Sequence, residues 1–442
     1  MENRLTENNP ALAAQQNDSA FENIWQELTW RSLVHVSTDE SSLEEALAGE
    51  RLTYYCGFDP TAASLHLGHL VQLLTMRRLQ LAGHRPLALV GGSTGLIGDP
   101  RESGERTLNT PEVVAGWADS LKEQVKHYIS FDGETGATMV NNLDWTEGIT
   151  AIEFLRDIGK YFRVGTMVKK DLVSKRLNSE EGISYTEFSY QILQGLDYLQ
   201  LYRDYGCTLQ FGGSDQWGNI TSGTELVRRA EGAHVHALGT PLITNSDGTK
   251  FGKSEGNAIW LDSELCSPYT FYQFWLNQAD ADVIDRLKVF TFLSRAEIED
   301  LERAVATEPF RREAQRRLAW EVTTLVHGEE ATRKVIAAAE ALFGKGEIGD
   351  IDEPTLRSIA QEVPFVEVPM QEATGVRIFT AAGLIAGNSE VRRTVKDGGA
   401  SVNNRKLEEA DSVVPEGEWL HGKYLVIRRG KKNLAVIGRS AS

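Results

Sequence analysis

Two hydrophobic periods alternate along the first 261 residues. Continuous apolar runs that end in glycine or polar residues, such as RPLALV at 85–90 and CTLQF at 207–211, predict strands buried on both faces. Further strand patterns occur at 137–140 and 241–244. Between these runs apolar residues recur every three or four positions, as in Leu65, Leu70, Leu73 and Leu74, which predicts helices. Similar spacing covers 149–162 and 185–205, and Thr110-Pro111-Glu112 has the cap residue, first-turn proline and early acid of a helix start. Two more helical patterns fill 21–50, the second expected to begin at Ser41 or Ser42. Strands and helices in alternation predict a parallel sheet with its ligand crevice at the carboxyl ends of the strands.

The periodicity changes after Leu261. Helical patterns alone occupy 268–344, among them FYQFWL and AEIEDLERAV. A stretch rich in Gly, Asp, Glu and Pro at 345–369 reads as a linker holding one short helix. The last section combines a helix, a Gly398-Gly399 turn, a strand at 401–403 and a closing hairpin, and residues 1–20 are polar enough to read as a disordered leader. The expected fold class is therefore α/β: a Rossmann-like parallel-sheet catalytic domain over 21–261, an α-helical domain over 262–344, a linker over 345–373 and a small α+β domain over 374–442.

Charge sharpens that division. The 442 residues carry a formal net charge of −17, which argues against coating nucleic acid by bulk attraction. Section 374–442 reverses the sign, with 12 Lys and Arg against 7 Asp and Glu, so the remainder carries −22. Local attraction to a polyanion is expected there, with Arg392, Arg393, Lys396, Arg428, Arg429, Lys431 and Lys432 as candidate RNA contacts. Cys56, Cys207 and Cys266 are widely spaced and lack a C-x-x-C, which fits neither a disulfide scaffold nor a zinc site and points to a reducing compartment. No apolar run approaches the roughly 20 residues that span a bilayer, so a cytoplasmic chain without membrane association is expected.

The chemistry centres on residues 54–70, YYCGFDPTAASLHLGHL. An apolar run, a Gly-Phe-Asp-Pro turn and a helix pattern beginning at His66-Leu67-Gly68-His69 describe a strand, a tight turn and a helix start. Unpaired N–H groups and the positive dipole end favour an anion there, and two imidazoles flanking Gly68 add donors suited to phosphate and ribose oxygens. Downstream, Thr249-Lys250-Phe251-Gly252-Lys253-Ser254 puts two lysines on a glycine-containing loop able to neutralise a departing pyrophosphate. Tyr190, Gln194 and Asp197 share one helix face, where a buried carboxylate and amide would be costly without a polar ligand.

These motifs resemble those of the class I aminoacyl-tRNA synthetases, whose HIGH and KMSKS signatures match HLGH and KFGKS here. The order Tyr55, Tyr190-x3-Gln194-x2-Asp197 and Gly212-Gly213-Ser214-Asp215-Gln216-Trp217-Gly218-Asn219 resembles the pocket of the tyrosine-specific bacterial members, and the last section resembles a small RNA-binding domain first seen in a ribosomal protein. The resemblance covers 21–442. It implies an ATP-dependent ligase that forms tyrosyl-adenylate and then charges tRNA(Tyr), with Mg2+ accompanying ATP, no protein-bound metal, and a homodimeric assembly.

The resemblance also implies roles. Asp99, Tyr190 and Gln194 take the tyrosine ammonium, Gln216 its carboxylate side, and Tyr55 with Asp197 the phenol; Gln210 supports them. The main chain of Gly57 and Gly213 takes ATP, with Cys56, His69 and Asp215 near the ribose and Asp59 and Gly68 in the same nucleotide site. Thr61 and His66 fall to the outer phosphates, Lys250 and Lys253 to the leaving group. One departure is visible: the family pattern SGK-x-SER after Gly98-Asp99-Pro100 reads Arg101-Glu102-Ser103-Gly104-Glu105-Arg106, a residue shorter and without its lysine. Arg106 is expected to keep a role with pyrophosphate, and whether Arg101 supplies the missing charge is open.

Three alternatives compete. A tryptophan-specific relative fits poorly, because an indole offers N–H where Asp197 and Tyr55 suit a phenol. A small-molecule nucleotidyltransferase has no use for the basic tail, and an RNA-binding protein without catalysis has none for the two signatures.

Overall fold

The computed structural model describes residues 10–101, 104, 107–249, 251–254, 257–342, 347–430 and 433–440. They form two compact units, Met1–Asp262 with Ala279–Ala314, and Ser263–Gln278 with Gln315–Ser442.

The first unit is built on a six-stranded sheet in the order β1-β6-β5-β2-β3-β4. Its strands are β1 (Val36–Ser37), β2 (Thr53–Phe58), β3 (Arg85–Val90), β4 (Thr138–Asn141), β5 (Cys207–Gly213) and β6 (His236–Thr240). All pair in parallel except β1, which runs antiparallel to β6. The chain steps outward from β2 through β3 to β4, then returns to the other side of β2 as β5. Helices leaving two neighbouring strands in opposite directions open a crevice at their carboxyl ends, here between β2 and β5. Tyr55 sits there, paired with Leu87 on one side and Gln210 on the other. Beneath it Leu87, Leu89, Tyr198, Leu199 and Val227 form a packed core.

The helix Leu67–Leu81 follows β2 and is buried over most of its length, Arg77 and Arg78 included. A third buried arginine, Arg31, shows how the helix Val283–Phe290 attaches within this unit. Arg31 donates from Nε to Glu27 Oε1 at 2.8 Å, from Nη1 to the carbonyls of Lys288 and Thr291, and from Nη2 to that of Leu293 at 2.8 Å. Arg78 donates to the Thr291 carbonyl as well, at 2.6 Å. These carbonyls end the helix Val283–Phe290, so two arginines cap it in place of water.

Several expectations need correction. The segment 241–244 is not a strand: pairing ends at Thr240, because Pro241 has no N–H to continue the ladder. The second helix is Glu40–Ala48, capped by Asp39 rather than a serine. Residues 149–162 form a short α-turn, a π-turn and a 3-10 turn in succession instead of one helix. Part of the supposed leader is held: Arg77 donates to Gln15 and to the Leu12 carbonyl, and Asn17 donates to the Arg78 carbonyl. Residues 1–9 lie outside the described residues. The helical stretch expected as one domain over 262–344 is shared between the two units.

The second unit contains a five-stranded sheet, ordered β11-β10-β12-β13-β9. Its strands are β9 (Phe365–Val368), β10 (Ala400–Val402), β11 (Arg405–Lys406), β12 (Tyr424–Arg429) and β13 (Asn433–Arg439), while β7 (Lys253–Ser254) and β8 (Asn257–Ala258) form a separate ribbon in the first unit. β9 was expected as linker, yet it pairs in parallel with β13, so the small domain starts before 374. The helices Gly375–Ala381 and Asn388–Lys396 contribute Ile378, Phe379, Val391 and Val395 to its core with Leu425, Ile427 and Ile437.

Arg31 and Glu27 are essentially sealed from solvent, with side-chain exposures of 0% and 2%. Breaking a buried pair leaves an uncompensated charge, so Arg31→Met is expected to destabilise the protein by about 3–5 kcal/mol. Urea unfolding checks this, and a loss below about 1 kcal/mol would mean that water replaces the guanidinium at the helix end.

Candidate active site

A cavity of about 710 Å³ lies over the carboxyl ends of β2, β5 and β6, bounded by the start of the helix Leu67–Leu81 and by residues 241–244. Its inner end is polar and enclosed. Asp197, 3% exposed, accepts from Asn142 Nδ2 and from Trp145 Nε1, each at 3.0 Å. Burial pushes its carboxyl up to about 8, and those two donors oppose the shift. The Tyr55 hydroxyl lines the same end, buried and with no hydrogen-bond partner among the described residues. The Gln210 side-chain oxygen, also lining the cavity, is buried without a partner as well.

The middle of the cavity holds two further carboxylates. Asp59 accepts from the Tyr190 hydroxyl at 2.6 Å and from the Thr94 hydroxyl at 2.6 Å. Burial, then the Asp59 charge, hold the Tyr190 phenol well above its ordinary value. Asp99 accepts from Gln216 Nε2 at 2.9 Å and from Asn219 Nδ2 at 3.0 Å. Gln194 lines the cavity one helical turn beyond Tyr190. The expected trio Asp99, Tyr190 and Gln194 thus shares one cavity, with the Tyr190 hydroxyl on Asp59.

The outer end is formed by the signature helix. His66 caps it, accepting at Nδ1 from Gly68 N at 3.1 Å, while the His66 N–H donates to His69 Nδ1 at 3.1 Å. The rings stack 3.9 Å apart. Burial, then the His66 ring, hold the His69 imidazole well below its ordinary value, so it is neutral. With Nδ1 accepting on both rings, the neutral tautomers carry their protons on Nε2. Thr61, Cys56, Gly57, Gly213 and Asp215 line this part of the cavity.

The lysine loop returns to the same place. Leu67 N donates to Ile259 O at 3.3 Å, Leu261 N to Leu65 O at 2.9 Å and Ile259 N to Gly252 O at 2.9 Å. HLGH and KFGKS, almost 200 positions apart, are therefore joined through their main chains. Gly252 has φ +78, a left-handed turn that a side chain would strain, and it lines the cavity with Phe251 and Ala258. Lys253 is placed by its main chain in β7, whereas Lys250 and Arg106 lie outside the described residues.

The basic tail is partly self-neutralised. Arg392 pairs with Asp411 at 2.8 Å and Arg429 with Glu390 at 2.7 Å, while Arg428 donates to the Leu342 carbonyl. Arg393 and Lys396 are exposed, and Lys431 and Lys432 lie outside the described residues.

The family model described as tRNA synthetases class I (W and Y) matches residues 47–344, and one described as Tyrosine--tRNA ligase SYY-like C-terminal domain matches 355–437. A protein of Leifsonia xyli subsp. xyli named tyrosine--tRNA ligase is 66% identical over 428 residues, 96% of each chain. One of the same name from Streptomyces coelicolor is 60% identical over 415 residues, 94% of this chain and 98% of that one. The chain belongs to the tyrosine--tRNA ligases. The crystal structure of a C-terminally truncated mitochondrial tyrosyl-tRNA synthetase from Aspergillus nidulans superposes with a TM-score of 0.65 at 30% identity, covering 74% of this chain and 95% of that one.

For a tyrosine--tRNA ligase the residues that sequence reasoning missed matter as much as those it found. Asn142, Trp145 and Thr94 lie on segments following β4 and β3 and carry no motif. Their signal was indirect: Asp197 had to be satisfied by something, and a carboxylate on a buried helix face demands donors from the opposite wall. Asn142 donates to both Thr94 and Asp197, which makes it the hinge of the network.

Removing a donor from the charged form raises the Asp197 carboxyl further, so less of it is ionised at a given pH. Asn142→Ala is expected to weaken tyrosine binding about 10- to 100-fold at pH 7, by the loss of one hydrogen bond to a charged group. Partial recovery should follow as the pH rises to 8.5 and ionisation is restored. Isothermal titration from pH 6 to 8.5 checks this, and a loss independent of pH would assign Asn142 to packing alone.

Proposed function

We propose that this chain activates L-tyrosine with ATP to tyrosyl-adenylate and pyrophosphate, and then transfers the tyrosyl group to the terminal ribose of tRNA(Tyr), with the site residues named above in those roles. The observation that carries the reading is the enclosed inner end of the cavity, where a buried Tyr55 hydroxyl without a partner stands with the Asp197 carboxyl. A phenol donates to the carboxylate and accepts from the hydroxyl, which completes both. Phenylalanine leaves both desolvated and unpaired, a penalty for which tyrosine-specific synthetases are themselves the standing illustration.

Activation needs no protein base. The substrate carboxylate is ionised and attacks the α-phosphorus; the bond from that phosphorus to the bridging oxygen breaks, and pyrophosphate leaves with the electron pair. Catalysis is then positioning plus stabilisation of charge on phosphate oxygens. The positive dipole end of the helix Leu67–Leu81 and the His66 Nε2–H suit those oxygens, with Thr61 beside them. Magnesium is proposed to enter with ATP as part of the co-substrate.

The acidic first unit and the basic final section suit a partner whose backbone is held by the tail, and exposed Arg393 and Lys396 are proposed RNA contacts. A homodimer is proposed in line with the family resemblance, and exposed Ile152, Leu155 and Val164 offer it apolar surface. Among the described residues no helix is long and apolar enough to cross a membrane; cytoplasmic location remains part of this proposal.

Tyrosine-dependent exchange of label between pyrophosphate and ATP tests the reading, and its absence with tyrosine would overturn it. Tyr55→Phe is expected to reduce the preference for tyrosine over phenylalanine about tenfold or more, measured as the ratio of kcat/KM for the two amino acids in that assay. His66→Ala is expected to lower the activation rate constant about 100-fold while tyrosine and ATP affinities change by less than about threefold. Single-turnover kinetics separate the two, and equal losses in both would place His66 in ground-state binding.

A further inference from the structure

Resting on the reading above, we propose that Arg286 is a positioning residue for tyrosine activation: its guanidinium ties Thr244 to Phe251 and thereby fixes the root of the lysine loop against the cavity. No motif marks it, because Arg286 belongs to the helix Val283–Phe290, more than 30 positions beyond KFGKS. Pairing in β6 ends at Thr240, and the chain then runs along the cavity from Pro241 to Thr244 and meets it again at Phe251 and Gly252. Thr244 and Phe251 are seven positions apart, so whatever holds them together decides how the loop is presented.

Arg286 meets both. Its Nη2 donates to the Thr244 carbonyl at 2.6 Å, and its guanidinium carbon lies 4.5 Å from the centre of the Phe251 ring. The side chain is 5% exposed, so water competes little for either contact and the attraction of the cation for the ring face is strengthened. A second grip comes from the residue just before the same helix. Asp282 accepts from Ser246 N at 3.0 Å and from Ser246 Oγ at 3.1 Å, and it stands 3.9 Å from Arg286 Nη2. At the far end of the helix the Phe290 ring lies 5.6 Å from that of Phe251. One short helix therefore holds the loop at Thr244, Ser246 and Phe251, and its own last turn is capped by Arg31 and Arg78. Phe251 precedes Gly252, whose carbonyl accepts from Ile259 N, so a shift of the ring passes into the main chain that joins the two signatures. Thr244 and Phe251 line the cavity, whereas Arg286 is not among the described residues lining it. It acts from behind the wall, through the groups it holds.

The lysine loop is proposed to meet charge that grows only as the reaction proceeds, so a displaced root costs rate rather than ground-state affinity. The test uses the full-length protein, single-turnover activation over a range of ATP concentrations, and titration calorimetry for tyrosine. Arg286→Met is expected to lower the activation rate constant about tenfold, with ATP and tyrosine affinities within about twofold of the parent, under conditions where urea unfolding shows the variant to be folded. Phe251→Leu is expected to lower it by a similar factor, and the double variant to be little slower than the slower single one, because both changes release the same root. Where Arg286→Met does not fold, Arg286→Lys takes its place: an ammonium keeps the charge but cannot meet the Thr244 carbonyl and the ring face together, and a loss of about threefold is expected. A folded variant with unchanged activation would overturn the proposal, as would a loss confined to ATP or tyrosine affinity. Single losses that multiply in the double variant would overturn it too. A parent protein without tyrosine-dependent pyrophosphate exchange would instead overturn the proposed function, and this inference with it.

Discussion

The short main-chain ladder between Leu65 and Leu67 on one side and Ile259 and Leu261 on the other is the constraint on which the site depends. A helix start, with its positive dipole end, attracts an anion but cannot choose among anions. Selectivity for a nucleotide that is about to lose pyrophosphate needs a second element at a fixed distance from the first. Backbone bonds provide it without committing any side chain, and the left-handed Gly252 lets the loop root turn toward Leu67 at that point. The loop root is thereby set by the same residues that set the helix start. A change in one shifts the other.

Inside the cavity the governing term is desolvation. Four aspartates line the cavity, and three of them are held by donors from other segments: Asp197 by Asn142 and Trp145, Asp59 by Tyr190 and Thr94, Asp99 by Gln216 and Asn219. Thr94 and Asn142 are themselves joined at 3.0 Å, so the first two clusters form one network. Such a network orients its members rigidly when satisfied, and any member left short of a partner points to what is meant to arrive. Beside that network, the Tyr55 hydroxyl and the side-chain oxygens of Gln72 and Gln210, on residues that line the cavity, are buried with no partner among the described residues. The cavity is therefore pre-shaped for a ligand with a polar group at its far tip. That is a stronger statement than size alone permits.

How much of this was legible beforehand follows from which forces are local. The strand Arg85–Val90 and the helix Tyr185–Tyr205 were readable to the residue, because periodicity and caps act over a few positions. Residues 241–244 were misread because their apolar character answers to cavity walls rather than to a sheet. The attachment of Val283–Phe290 to the first unit was not legible, since it rests on Arg31 and Arg78, which look from sequence like solvated helix charges. The site divides the same way. Residues proposed to meet the ligand directly sit in compact motifs, whereas Asn142 and Trp145 act on Asp197 from more than 50 positions away. β9 was lost to the linker because four residues bordered by proline give too short a pattern to separate from a loop.

The distribution of charge around the cavity bears on how rate is gained. Were fixed cations lining the interior, they would bind the phosphates of ATP strongly before reaction, and that uniform affinity would lower KM without lowering the barrier. The described interior instead offers donors without a fixed charge: imidazole N–H groups, side-chain amides and hydroxyls. Among the described residues that line this cavity and the smaller one sharing Thr61 as a wall, positive charge enters from the margin, with Arg101 on the turn after Asp99. Marginal cations gain most when charge moves outward, which is what happens as the bond to pyrophosphate lengthens. An interior of dipoles with a charged rim thus favours the departing pyrophosphate over bound ATP, by a difference that positioning alone sets. Such a difference vanishes if the turn or the loop root is free to wander; the Arg176 side chain holds the first and main-chain hydrogen bonds hold the second.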